Sequence, residues 1–271
     1  MIQANPGNLL KFSTNSVWQR HNLPGTNRVP FGLKCPLDNG IPFQLYFPSG
    51  AGVVSWKMVN PYDPTGGTFI AMTTGDLVVT QRDPAGFWVT YTGLAGLTTP
   101  VTCGFWEAWV TVDGVVYKSE VMHFREGTEA DPIYRIRFTS ATDKGNVLYS
   151  VLSYNQFLYP TKWAFDRLEV GREIDATVDG NGKETTRFTR TVSRLVLEVA
   201  DLPDYVVDFL SKCGDLETVQ FEDLNGTISV VPMVNTTFKT KDQGVGLNTG
   251  IFTFDNVIEA FNGCQLDFAV L

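Results

Sequence analysis

Histidine is nearly absent from this sequence: there are two in 271 residues, His21 and His123. Neither lies at a spacing that a metal centre or a catalytic triad uses, so both are expected to be structural. Cysteine is scarce too. Cys35, Cys103, Cys213 and Cys264 lie too far apart to make the paired knuckles of a zinc site, and as thiols in a reducing compartment they are expected to serve as small buried hydrophobes. Positive charge is in the minority, with 21 Lys and Arg against 29 Asp and Glu for a net charge of −8, which argues against a nucleic-acid partner. No apolar run approaches the roughly 18–20 residues that a membrane-spanning helix needs, so membrane insertion is not expected. Residues 1–18 contain Pro6, Asn8, Lys11 and Asn15 without a continuous apolar stretch, so neither a secretory leader nor a lipidation signal is expected.

Motifs that carry chemistry are equally thin. Gly-x-Ser-x-Gly does not occur, and thiol catalysis would need Cys35 or Cys103 to meet one of the two histidines in space. Gly182-Lys183 suggests a phosphate loop, but Glu184 stands where Ser or Thr is required and Thr177 where the first Gly belongs. The run from Gly244 to Gly250 has one residue too many for a dinucleotide fingerprint and precedes a β-type segment rather than a helix. Asp179-Gly180-Asn181-Gly182 offers oxygen ligands, yet Lys183 occupies the fifth position of a calcium loop and no Glu closes it at the twelfth, so a tight turn is expected there. Glu107 and Glu120 are the one carboxylate pair that strand register would set side by side. Lys118 and Thr111 as neighbours argue that this pair is solvated, not raised in pKa for acid catalysis. No catalytic, cofactor-binding or metal-binding residue is assigned, and the chain is expected not to be an enzyme.

What the sequence does hold is apolar and punctuated. It has 19 Phe, 9 Tyr and 6 Trp with only 18 % charged residues, ample material for a packed core. Its 25 Gly and 14 Pro fall between short segments of alternating hydrophobicity, the pattern of many strands joined by turns. The clearest hairpin spans residues 105–121 through Asp113-Gly114, a dipeptide suited to a type I′ turn. A two-residue loop sets Val112 against Val115, Val110 against Tyr117 and Trp106 against Val121. Trp106, Ala108, Val110, Val112, Val115, Tyr117 and Val121 then line a core-facing side, with Trp109, Thr111, Lys118 and the two glutamates opposite. Residues 43–47, 52–59, 77–81 and 87–92 supply further strands, separated by prolines.

The polar stretch 125–132 has Gly and Pro but no apolar anchor, which places a domain boundary there. Beyond it, residues 133–140, 147–155, 163–170, 221–231, 235–240 and 250–255 read as strands, with hairpins near residues 179–182 and 225–226 and a last strand at 264–271. One short helix is expected. Asp201 would cap it, Pro203 fits its first turn, Val206, Phe209 and Leu210 share a face, and Gly214 suits its end. The expected fold is therefore mainly β: two β-sandwich-like modules with one short helix in the second. Residues 1–126 form an N-terminal arm plus the first module, and residues 133–271 form the second.

Two sets of residues are candidates for binding. Leu9, Leu10, Phe12 and Trp18 are apolar anchors in a polar, Asn-rich arm, and are expected either to dock on an adjacent subunit or to make a first strand of the same domain. Trp88 and Tyr91 lie at odd spacing on one strand, hence on opposite faces, so one of them is a candidate for stacking on a glycan, with core packing as the alternative.

The order Cys35, then Cys103-Gly104-Phe105-Trp106, then Tyr117-Lys118-Ser119-Glu120-Val121 resembles the first module of structural tail proteins from tailed bacteriophages of Bacteroidota hosts. The Asp179-Gly-Asn-Gly turn, the Leu202-Pro203-Asp204-Tyr205 segment and the closing Gly263-Cys264 are similar to the companion module of such proteins. The resemblance covers most of the chain as an order of elements, through loose motifs. It implies a non-enzymatic virion component of a tail hub, collar or baseplate, made in the host cytoplasm. Its partners would be copies of itself in a ring-like assembly and other tail proteins, with no cofactor and no nucleic acid. The alternative is a carbohydrate-binding or receptor-binding β-sandwich module.

Overall fold

Period-two alternation and prolines between short apolar segments force the first half into strands that must bury one face. The computed structural model of the chain describes residues 8–14, 33–37, 39–50, 52–62, 67–81, 86–93, 97–126, 134–144, 147–150, 154–159, 165–178, 180–182, 184–203, 206–207, 209–210, 218–223, 233–240 and 247–255. The first half holds β1 (Phe12–Ser13), β2 (Leu33–Pro36), β3 (Phe43–Phe47), β4 (Val54–Val59) and β5 (Phe69–Ala71). After a 3-10 turn at Thr74–Asp76 come β6 (Leu77–Gln81), β7 (Phe87–Tyr91), β8 (Gly104–Val112) and β9 (Val115–Arg125). They make two sheets. One has the order β1-β9-β8-β4-β5, with β2 joining β9 in parallel, and the other is β3-β7-β6. Rings from the two sheets meet across the interior: Trp56 of β4 lies 5.3 Å from Tyr91 of β7, and Tyr117 of β9 lies 5.4 Å from Phe47 of β3. Face-to-face packing of this kind makes the first half a sandwich. Each such aromatic pair adds about 0.5–1.5 kcal/mol beyond the area it buries.

The β8–β9 hairpin turns at Asp113-Gly114 with φ of 49° and 83°, the positive values a type I′ turn demands. Val112 pairs with Val115 and Val110 with Tyr117, as expected, although Val115 itself is exposed at the turn. Further from the turn the register slips. Trp109 pairs with Lys118 but Glu107 pairs with Val121, so β9 carries a bulge opposite Ala108, and Trp106 faces Met122 instead of Val121. Ser119 occupies the bulge. Its Oγ accepts the Ala108 N–H at 2.8 Å and donates to the Glu120 carbonyl at 2.7 Å, replacing ladder bonds that the extra residue interrupts. Past it the inward parity changes from Tyr117 to Met122 and Phe124, all three buried.

The second half adds β10 (Tyr134–Thr139), β11 (Gln156–Leu158), β12 (Phe165–Val178), β13 (Glu184–Pro203), β14 (Thr218–Asp223), β15 (Met233–Thr240) and β16 (Leu247–Asp255). Their sheets run β11-β10-β14 and β12-β13-β16-β15, antiparallel throughout. The fold is mainly β. Residues 206–207 and 209–210, the described part of the expected helix beyond Pro203, are helical. Asp201 does not cap it, because β13 continues to Pro203 and pairs Leu202 with Asn248. Strand pairing overrides the local capping signal there. The helical face is as read: Val206, Phe209 and Leu210 are buried, and Phe209 meets Phe138 edge-on at 5.5 Å. The expected strand over residues 147–155 is absent among the described residues; 147 makes only a bridge to Lys144, and the strand begins at Gln156. The expected hairpin at 225–226 and the strand at 264–271 lie outside the described residues.

The expected boundary at residues 127–132 also lies outside them. On either side of it one apolar cluster is continuous, taking in Leu10, Phe43, Trp56 and Phe124 together with Ile136, Phe157, Leu202, Phe209 and Phe252. Buried carboxamides bind the two sides. Gln44 of β3 donates from Nε2 to the Leu148 carbonyl at 3.0 Å and accepts the Leu148 N–H on Oε1 at 2.8 Å. Asn8 holds the Gln44 backbone in the same two-pronged way. Gln156 accepts the Leu9 N–H at 2.8 Å and donates to the Tyr149 hydroxyl at 2.7 Å. The Gln44 and Asn8 amides imitate a strand's backbone, and all three keep the groups they meet paired away from water.

Candidate functional site

The N-terminal anchors fold inward. Leu9, Leu10 and Phe12 are buried in the chain's own core. Phe12 packs 4.8 Å from Phe43, and β1 pairs with β9 at Phe12–Ser119. Of the two expectations for the arm, the first-strand one describes these residues, and they are not a free interface; Trp18 lies outside the described residues. The aromatic pair of β7 is buried as well, because both faces of the β3-β7-β6 sheet are covered at that strand. Trp88 packs on Tyr46 at 4.7 Å, and the Tyr91 hydroxyl accepts the Gly40 N–H at 3.2 Å. Neither ring offers an open face for a sugar.

The outer side of the β8–β9 hairpin corrects a further expectation. Glu107 and Glu120 are buried, not solvated, and the Ser119 bulge sets Val121 rather than Glu120 opposite Glu107. Glu107 accepts the Trp109 indole N–H at 3.0 Å. Lys118 sits 4.1 Å and Lys57 5.0 Å from the Trp109 ring centre, and Lys57 also lies 4.5 Å from Phe69. Cations on a ring are worth about 0.5–1 kcal/mol each at such sites. They also occupy the ring surface that a ligand would use. Nearby, Phe105 stacks on His123 at 4.3 Å, and Tyr62 meets Phe105 edge-on at 6.0 Å.

Titratable groups in the interior are shifted toward their neutral forms. Burial pushes the Cys35 thiol and the Tyr91 and Tyr154 hydroxyls up. Partial burial, with Lys34 and Arg125 close by, pulls His123 below its usual 6.5. Cys103, expected to be buried, is exposed, because it lies just before β8 where the chain enters the sheet. His21, Cys213 and Cys264 lie outside the described residues. Among the described residues, no three His, Cys, Asp or Glu side chains gather in a metal-binding set.

The feature that sequence reading undersized is a ribbon. Strands were expected only to about residue 170 and around a turn at 179–182, but β12 has 14 residues and β13 has 20. Their register runs unbroken in direction from Phe165–Leu197 to Val178–Glu184, with two slips, between Phe165 and Arg167 and between Asp175 and Ala176. β16 pairs with β13 only from Arg194 to Pro203. Among the described residues, 170–178 and 184–193 border only each other, over about 30 Å at ~3.3 Å per residue. The tip is open: Gly180, Asn181 and Gly182 are exposed, and a Cβ added at either glycine would touch nothing within 4 Å. The available signal was the β-branched run Thr185, Thr186, Thr189, Thr191, Val192. Gly171 and the interspersed charges masked it. Chemically, such a ribbon presents backbone donors and acceptors along its edges, the means of adding another strand. No protein-family model matches the chain, and no curated protein is found to be similar to it.

Proposed function

We propose that this protein is a non-enzymatic virion structural protein, one subunit of the tail hub, collar or baseplate of a tailed bacteriophage, that assembles through protein–protein contacts. The observation that carries the reading is the β12–β13 ribbon, whose two strands border only each other for about 30 Å among the described residues. Strand edges left in this way serve contacts with other chains. The order of motifs around Cys103, Tyr117 and Asp179 supplies the phage context. A binding role for Trp88 and Tyr91 loses its support, since both rings are buried.

Quantitative mass spectrometry of purified virions tests this reading. The expected result is the chain at a fixed small copy number per particle. Its absence from intact virions, or a copy number that varies from preparation to preparation, contradicts the proposal.

A further inference from the structure

Asn followed by Gly is a dipeptide at which a chain readily closes on itself, because a residue without a side chain lets its backbone nitrogen approach the preceding carboxamide. The sequence has this dipeptide at Asn39, Asn181, Asn225 and Asn262, and the last two lie outside the described residues. We infer that Asn181-Gly182, at the tip of the β12–β13 ribbon, is a site of spontaneous covalent modification, and that the fold shields Asn39-Gly40 from the same reaction. The Gly182 nitrogen gives its proton to hydroxide and bonds to Cγ of Asn181, the Cγ–Nδ2 bond breaks, and ammonia leaves. Water then opens the cyclic imide at either of its carbonyl carbons. One opening leaves aspartate, and the other leaves isoaspartate, in which the main chain runs through the side-chain carbons. Nothing is oxidised or reduced, and a carboxylate stands where the amide was.

The surroundings of the reacting nitrogen separate the two sites. Asn181 and Gly182 are exposed, Gly182 has a φ of 77°, and nothing lies within 4 Å of the place its Cβ would take, so no neighbour walls off the approach. The pair also lies beyond Val178–Glu184, the last rung of the ladder, so ring closure breaks no strand pairing. Gly40 is enclosed. It is buried, its N–H donates to the Tyr91 hydroxyl at 3.2 Å, and a Cβ there would stand 3.3 Å from the Tyr91 ring. Turning that nitrogen onto Asn39 forfeits a buried hydrogen bond, so reaction there waits on local opening. Asp113-Gly114 would form the same imide with loss of water, but its carboxylate is engaged on both oxygens, by the Gly52 N–H at 3.3 Å and the Val53 N–H at 2.9 Å. Conversion at Asn181 therefore places a new negative charge on the ribbon tip and, as isoaspartate, one more carbon in the backbone of the loop between Val178 and Glu184.

The test keeps the full, unaltered chain folded in warm, mildly alkaline buffer, with a second sample unfolded in urea. Peptides from both are followed over time by mass spectrometry, with fragmentation that tells aspartate from isoaspartate. In the folded chain the Asn181 peptide is expected to convert at least about tenfold faster than the Asn39 peptide, the factor that an opening free energy of ~1.4 kcal/mol imposes on a shielded site. In urea the two are expected to convert at similar rates, because the dipeptide is the same and the shield is gone. If Asn181 converts no faster than Asn39 in the folded chain, if it resists there while converting in urea, or if the same preference persists in urea, the assignment is overturned. None of these outcomes depends on whether the chain assembles.

Discussion

Gln44 shows how a polar side chain can hold this molecule together. Almost wholly buried, it offers its carboxamide to both backbone groups of Leu148, 104 residues away in sequence. Gln44→Ala leaves that N–H and carbonyl buried without partners, at about 1–3 kcal/mol for each group orphaned. The expected result is a lower urea midpoint at unchanged slope. His123 gives a second prediction at this scale. Its folded pKa lies below the 6.5 of the free side chain because it is partly buried against Phe105 and close to Lys34 and Arg125. On acidification the unfolded chain therefore takes up the proton first. The contribution of His123 is whole above about pH 6.5 and declines as pH falls toward the lower folded pKa. His123→Phe is expected to flatten the fall in melting temperature between pH 7 and pH 5, whereas an unchanged slope would place the dependence elsewhere. Residue types alone could reveal neither role, because a glutamine's or histidine's burial depends on what the rest of the chain lays over it. The same reason put Glu107 and Glu120 inside although the register read from the turn sets Lys118 and Thr111 beside them.

Among the elements, the β8–β9 hairpin was the most legible, since Asp113-Gly114 fixes both turn type and starting register. Legibility ended at the bulge. Val121 and Met122 are both apolar, so either parity of β9 satisfies the alternation rule, and only the third partner, β1, separates them. The Glu120 N–H donates to the Lys11 carbonyl at 2.8 Å, while Ser119 faces Phe12. Ser119→Ala removes the oxygen that accepts the Ala108 N–H and leaves that buried donor unpaired, a loss of about 1–3 kcal/mol. A thermal melt should show it as a drop of several degrees, while Ser119→Thr, which keeps the hydroxyl, should recover part of it. The short helix was half legible: its buried face followed from the spacing of Val206, Phe209 and Leu210, but its start did not, because Leu202 is claimed by the ladder to β16.

For the whole molecule, the mainly β class follows from composition and turn residues, whereas the reach of the core across residues 127–132 rests on pairings no local pattern encodes, such as Leu9 with Gln156. The ribbon belongs to this scale too. Its strands carry the β-branched residues of a sheet but are interrupted by charges that, read locally, mark a turn or a solvated loop. Those charges acquire sense when β12 and β13 are laid side by side, with Glu173 opposite Arg190 and Glu169 opposite Arg194. The central claim, that these edges exist to be joined by other copies, is tested most directly by hydrogen exchange of the unaltered chain across a range of concentrations. The amides of residues 170–178 are expected to slow as concentration rises, while those of β7, enclosed within the chain's own sandwich, stay constant. Ribbon amides that exchange equally fast at every concentration would contradict it.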